Sequence, residues 1–315
     1  MKLIIKNNCG EETVAVSEAN GCISHFFTYR PERLNLNDTL SGIIRKHDKF
    51  LNGYFVETDK KWSVFVPSKE KHNEGECVFI KVTKEARQGK DANGVFISQP
   101  ENDANSLANT IAQEFQIDSI TQWDDETQEA LENALTPSVP FQQNATIHIE
   151  RTKACWTIDV DSGSCTEKPH ILNKKAAEII IKEIIKRHLG GLILIDFIGA
   201  KHTQERIALE KYIIDLLKKD SLSHAMGWTK GRLFEIKRTR TYAPLIDVYL
   251  QSNGEFNALS IAYQICETTK KSSSLKQVTA NPQVIELLRD KLKNYATLTA
   301  DAHLPIHQFI IKDTK

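Results

Sequence analysis

The run Leu192-Ile-Leu-Ile-Asp196 constrains this chain more than any other feature. Four consecutive apolar residues read as a fully buried strand, and an ionised carboxylate at its end is costly unless a cation or hydrogen-bond donors meet it. A second strand ends in the same way. The segment 153–160 carries Asp159, with Asp161 two residues on, and the period of two along a strand aims both carboxylates at one face. Between them the spacing predicts a helix from an N-capping Asn173 through Ala176, Ile180, Ile184 and Ile185 to His188, with Gly190 as its stop. A strand over 145–150 and a second amphipathic helix over 203–219 complete a mixed α/β pattern. A divalent ion shared by Asp159 and Asp196 would offset their burial. Mg²⁺ suits the pair, because it takes one or two protein carboxylates and keeps waters for phosphate oxygens. The alternative is that each carboxylate caps the turn or helix after its strand, and spacing alone fits both.

Upstream, five short β-type segments, 40–46, 52–57, 62–66, 76–83 and 94–98, are separated by polar turns, which suggests a small barrel of OB type. Such barrels bind single-stranded nucleic acid by stacking bases on exposed aromatics beside basic groups, and Phe55, Trp62, Phe65 and Lys90 are the available parts. Equally, the aromatics could be barrel core and Lys90 a solvated turn.

Charge is balanced at 41 basic and 41 acidic residues, but unevenly spread. Residues 101–135 hold nine acids, beginning with Glu101 and Asp103, and no Lys or Arg, so the remainder has a basic excess of nine. We read 100–145 as an acidic connector with a helix over 124–135, ended by Pro137 and Pro140. Lys230, Arg232, Lys237, Arg238 and Arg240 make a basic run against Glu235 alone, which fits either a polyanion site or a solvated face. Six scattered cysteines without a C-x-x-C pair exclude a zinc knuckle and read as reduced thiols. The longest apolar candidate, 189–200, contains Asp196, so no membrane partner is expected, and the polar turn after the fifth residue points to the cytoplasm. The tail, 246–315, reads as a small, mainly helical unit, notably over 282–292.

Three ordered motifs, Thr157-Ile-Asp-Val-Asp-Ser-Gly163, Asn173-Lys-Lys-Ala-Ala177 and Leu189-Gly-Gly-Leu-Ile-Leu-Ile-Asp-Phe-Ile198, resemble the ribonuclease E/G family. The likeness continues through Ser223-His224 and Glu235-Ile-Lys-Arg-Thr-Arg240, and upstream through 74–90. It implies that Asp159 and Asp196 are the family's metal-binding aspartates in a DNase I-like domain. It further implies an OB barrel near the N-terminus, with Phe55, Phe65 and Lys90 at its RNA-contacting positions. The departures are specific. Asp161 stands at the family's Asn, Gly199 at the second Asp of its I-D-F-I-D run and Lys230 at an Arg, and the cysteine-pair zinc link is missing. The interval before the catalytic segment is too short for the family's 5′-end-sensing domain.

The expected fold is therefore α+β (mixed α/β). It comprises an N-terminal β segment (1–37), an OB-type RNA-binding barrel (38–99), the acidic connector (100–145), a DNase I-like catalytic domain (146–245) and a small C-terminal helical domain (246–315). The expected function is Mg²⁺-dependent hydrolysis of single-stranded RNA. Asp159 and Asp196 would hold the ion, Asp161 would orient water, and Lys230 or Arg232 would offset phosphate charge, while Arg238 would join Phe55, Phe65 and Lys90 on the strand. A homodimer is compatible with this reading and a zinc-linked tetramer is not. The alternatives are a non-catalytic RNA-binding protein on the same scaffold and a protein-binding scaffold.

Overall fold

The computed structural model describes residues 1–87, 89–100, 106–199, 202–271 and 274–314. The chain opens on β1 (Lys2–Asn8), β2 (Glu11–Ser17) and β3 (Ile23–Tyr29). Cys9 and Gly10 take positive φ of 52° and 97°, the paired left-handed turn whose twist matches a tight hairpin. Leu3, Val14, Val16 and Phe27 face one side of this sheet and Ile4, Ala15 and Phe26 the other, so both faces need cover.

Next come β4 (Thr39–Asp48), β5 (Gly53–Thr58), β6 (Ser63–Pro67), β7 (Cys77–Lys84) and β8 (Ala92–Ile97), which close into a barrel in the order β4-β5-β6-β8-β7. Strict alternation drives closure. Ile44, Tyr54, Val56, Val64, Val66, Ile80 and Val82 fill the interior, and the intervening residues point outward.

The acidic stretch 100–145 is not a free connector; its described part is built into the sheets on either side. Helix α1 (Leu107–Phe115) covers one face of the N-terminal sheet, and β9 (Ile120–Gln122) pairs parallel to β1. Helix α2 (Asp125–Leu135) covers the other face through Leu131 and Ala134, and β10 (Ser138–Pro140) joins the following sheet. Part of the acid has a local cause that composition does not reveal. Asp124 caps α2 by accepting from the Thr127 amide at 2.8 Å, and Asp125 and Glu126 sit in the first turn, where the helix dipole favours negative charge. Glu101 and Asp103 lie outside the described residues.

The largest sheet is formed by β10, β11 (Thr146–Arg151), β12 (Trp156–Asp161), β13 (Gly191–Asp196), β14 (Ser223–Trp228) and β15 (Phe234–Arg238), in the order β10-β11-β12-β13-β15-β14. Helix α3 (Pro169–Lys186) crosses over between the parallel strands β12 and β13, and α4 (Thr203–Leu217) follows. Both helices cover one face, where Ile158, Ile193, Ile195, Phe234 and Ile236 pack against Ile180, Ile184 and Ile213. The helix boundaries correct the sequence reading. Pro169 opens α3 after Lys168, because its fixed φ suits the first turn, and His188 rather than Gly190 takes the left-handed position past its end, at φ 55°.

The tail holds α5 (Leu245–Tyr249), α6 (Ala258–Lys270), β16 (Lys276–Ala280), α7 (Pro282–Leu288), β17 (Ala296–Ala300) and β18 (Phe309–Asp313). The expectation of a helical domain is corrected here: three five-residue strands form a mixed sheet, β17-β16-β18, under α6 and α7. Strands so short show no clear period, and their pairing is decided by partners distant in sequence. Among the described residues no helix is long and apolar enough to cross a membrane.

Candidate functional site

Asp159 and Asp196 are direct neighbours in the parallel register of β12 and β13. Adjacent strands lie about 4.8 Å apart, so the two carboxylates leave the same level of the sheet. They emerge on the face that α3 and α4 do not cover, and both are exposed. Among the described residues no hydrogen bond or ion pair reaches either one, so neither caps a turn. Asp161 does: its Oδ1 accepts from the Gly163 amide at 2.9 Å. Burial first, then the charge of Asp159, raises the Asp196 pKa above the usual carboxylate value. No three His, Cys, Asp or Glu side chains among the described residues form a metal-binding group, so an ion at this place would have Asp159 and Asp196 alone as protein carboxylate donors.

The surroundings hold the pair in place. Asn173, buried within α3, donates to the Ile198 carbonyl at 2.8 Å and accepts from the Ile198 amide at 3.1 Å, which clamps the chain just beyond Asp196. His148 of β11 sits opposite Asp159, and its Nδ1 lies 3.1 Å from Ser138 Oγ. Sequence reasoning missed this histidine. Its signal was alternation between inward Ile147 and Ile149, but only the register shows which residue it faces.

The basic run divides. Because Phe234 pairs with Ile195, the β14–β15 turn with exposed Lys230 and Arg232 lies at the carboxylate end of the sheet, and Arg232 adopts a left-handed φ of 68°. Arg238, expected on RNA, is instead 6% exposed and donates to Asp220 at 2.8 Å. It shares the helix-facing side of β15 with Phe234 and Ile236, so its charge is spent inside the fold.

On the barrel, Phe55 and Phe65 are cross-strand neighbours on the outer wall, with ring centroids 5.2 Å apart and Lys46 Nζ 5.9 Å from the Phe55 ring. The core alternative fails for both, since Tyr54, Val56, Val64 and Val66 occupy the interior. It holds for Trp62, which packs partly buried against that interior. Lys90 is exposed in the β7–β8 turn. The barrel joins the large sheet at the end away from the carboxylates. Glu85 accepts from Arg33 at 3.2 Å and from the Leu36 and Ala243 amides at 3.0 Å each, and its own amide donates to the Thr241 carbonyl at 2.8 Å. Thr241 and Ala243 follow Arg238, which pairs with Gly191, the first residue of β13.

Residues 88–241 match the sequence model of the ribonuclease E/G family. The chain is 31% identical over 119 residues to ribonuclease G of Haemophilus influenzae, a match that covers 36% of this chain and 24% of that protein. It is 32% identical over 124 residues to the chloroplastic ribonuclease E/G-like protein of Arabidopsis thaliana, covering 36% and 12%, and 29% identical over 136 residues to ribonuclease E of a Synechocystis species, covering 41% and 20%. The matched stretch thus spans a quarter or less of each relative. A solved multidomain protein with nucleic acid binding domains from Streptococcus pneumoniae aligns over 43% of this chain and 59% of its own, at 16% identity and a TM-score of 0.16, too loose a superposition to define a common fold.

Proposed function

We propose that this chain, whose residues 88–241 match the ribonuclease E/G family, is a member of that family and a Mg²⁺-dependent endoribonuclease acting on single-stranded RNA, with the six-stranded sheet, α3 and α4 as its DNase I-like catalytic unit. The observation that carries the reading is the register of Asp159 with Asp196 on the open face, with no cation on either among the described residues.

The pair fits the ion. Two hard oxygen donors at one level, on an open face, leave coordination positions for water and a phosphate oxygen. Bound there, the ion would polarise the scissile phosphate and lower the pKa of an attacking water. The chain's own residues do the rest. Asn173 holds the backbone after Asp196 and so fixes that carboxylate. Asp161 closes the turn after β12 and adds negative charge beside the pair. Lys230 and Arg232, at the same end of the sheet, offset charge developing on the phosphate. The N-termini of α3 and α4 follow β12 and β13 at this end, where their dipoles favour an anion. Phe55 and Phe65 hold unpaired bases by stacking, and Lys90 a phosphate.

The test is incubation of a labelled single-stranded RNA with purified protein, with and without Mg²⁺. Cleavage that requires the ion and leaves a 5′-phosphate is expected. Tight RNA binding without cleavage would overturn the catalytic reading and leave an RNA-binding scaffold.

A further inference from the structure

At the opposite end of the sheet from the carboxylates lies a cleft of about 1070 Å³, bounded by the β7–β8 turn, the β11–β12 hairpin and α5. Its chemistry is set by guanidinium groups. Arg87, Lys90, Arg151 and Lys153 line it, and Arg240, outside the lining itself, lies near enough to Arg87 and Arg151 for their charges to act on one another. The Arg240 side chain rests on Gly190 and Gly191. Its Nε donates to the Gly190 carbonyl at 3.2 Å, and a Cβ on Gly191 would stand 2.1 Å from its terminal nitrogen. The glycine pair therefore provides the shelf that this guanidinium occupies.

The positive charge is only partly answered from within. Arg151 pairs with Asp247, and Arg187, deeper in the wall, is spent on Glu183 at 2.7 Å. Among the described residues no hydrogen bond or ion pair joins Arg87 or Arg240 to a carboxylate; Asp247 acts on Arg87 only at longer range, Glu150 is the other lining acid, and Lys90 and Lys153 are exposed. Burial and the neighbouring arginines hold both Arg87 and Arg240 below the ordinary guanidinium pKa, so the group is kept together against its own repulsion. An anion removes that repulsion. A mononucleotide would underfill the space, since pockets for whole small ligands span ~300–1,000 Å³. The cleft also continues onto the barrel: Lys90 lies three residues before Asn93, which pairs with Phe65.

We propose that this cleft binds the sugar–phosphate backbone of a single nucleic-acid strand, with consecutive phosphates on Arg87 and Arg240 and with Lys90 and Lys153 at its mouth. The site is separate from the Asp159 and Asp196 pair and continues the track that begins on Phe55 and Phe65. It rests on the reading of the chain as an RNA-handling protein. Recognition is of phosphate and not of base, because guanidinium groups read charge and geometry that every nucleotide shares.

The experiment is fluorescence anisotropy of a labelled 12-nucleotide RNA, and of the DNA of the same sequence, in EDTA at several salt concentrations. The double variant Arg87→Gln/Lys153→Gln removes two cations whose side chains make no hydrogen bond or ion pair within the described fold, and circular dichroism checks that it is folded. About tenfold weaker binding of both RNA and DNA is expected, with the salt slope reduced by about 1.4, or ~0.7 per lost phosphate contact. A loss confined to RNA overturns the backbone reading. Unchanged affinity and slope overturn the cleft alone, provided that Phe55→Ala/Phe65→Ala still weakens binding. Absence of binding by the unaltered protein overturns the cleft and the proposed function together.

Discussion

The two ends of β12 and β13 carry opposite charges and treat them differently. At one end Asp159 and Asp196 stand side by side, and no cation among the described residues pairs with either. At the other, most arginines are matched to carboxylates: Arg238 to Asp220, Arg187 to Glu183, Arg151 to Asp247. A charge compensated inside the fold contributes to architecture, and its loss is read as stability. A charge left uncompensated at an open face is available to something outside the chain, and its loss is read as binding or turnover.

The largest expected effect breaks the carboxylate end. Asp196→Asn keeps the side-chain size, removes half of the ligand pair and should lower cleavage at least ~1000-fold, or about 4 kcal/mol in the barrier. Asp159→Asn should match it. RNA affinity in EDTA and thermal stability should hold or improve, because one of two repelling charges is gone. Cleavage at the unaltered rate in either variant would remove both residues from the chemistry.

Arg238→Ala should do the reverse. Breaking a buried, hydrogen-bonded ion pair costs ~3–5 kcal/mol, which urea denaturation would read directly. Binding of RNA by the folded fraction should not change. If affinity falls while stability holds, Arg238 belongs to an RNA surface after all.

On the barrel wall, Phe55→Ala/Phe65→Ala should weaken RNA binding by ~1–3 kcal/mol per lost stack. The melting temperature should move little, since neither ring fills the interior. An early-melting variant with normal affinity would put both rings in the fold's own packing.

A further effect concerns pH and the arginine-rich end. His25 and His188 are held neutral, with pKa values pushed down to about 4 and about 3, mainly by burial and further by Arg238 nearby. In the unfolded chain both return to about 6.5 and take up protons that the fold excludes. Stability is therefore full above that pH and declines as pH falls toward 4 and then 3, by up to ~1.4 kcal/mol per pH unit for each histidine. His25→Phe, which keeps a ring against Phe27 and Phe115, should flatten the decline between pH 6.5 and 4 by one proton's worth. An unaltered slope would show that His25 does not contribute.

Much of the carboxylate end was legible from the chain. Apolar runs that stop at a carboxylate mark strand ends, and the period of two puts Asp159 and Asp161 on one face. The outward aromatics were half legible: the alternation around Phe55 and Phe65 was visible, but which face became the interior was settled when five strands closed. Arg238 was misread for the converse reason. It sits in a charged run, yet alternation with Phe234 and Ile236 assigns it to the buried side, and the local pattern outweighs composition. Asn173 has the right chemistry for a cap, but Pro169 starts the helix a turn earlier, and the amide's partner is a strand end 25 residues away.

What the sequence by itself determined is local: element type, the polarity of each face and the carboxylates at the strand ends, all set by side-chain periodicity and backbone preference over a few residues. Only the tertiary structure decided that Asp159 meets Asp196, that His148 stands beside them, that part of the acidic stretch caps a helix and completes a sheet, and that arginines from three separate segments line one cleft. These juxtapositions depend on register and crossover. Both are chosen by the burial of the whole apolar surface at once, a condition that no short stretch of residues contains.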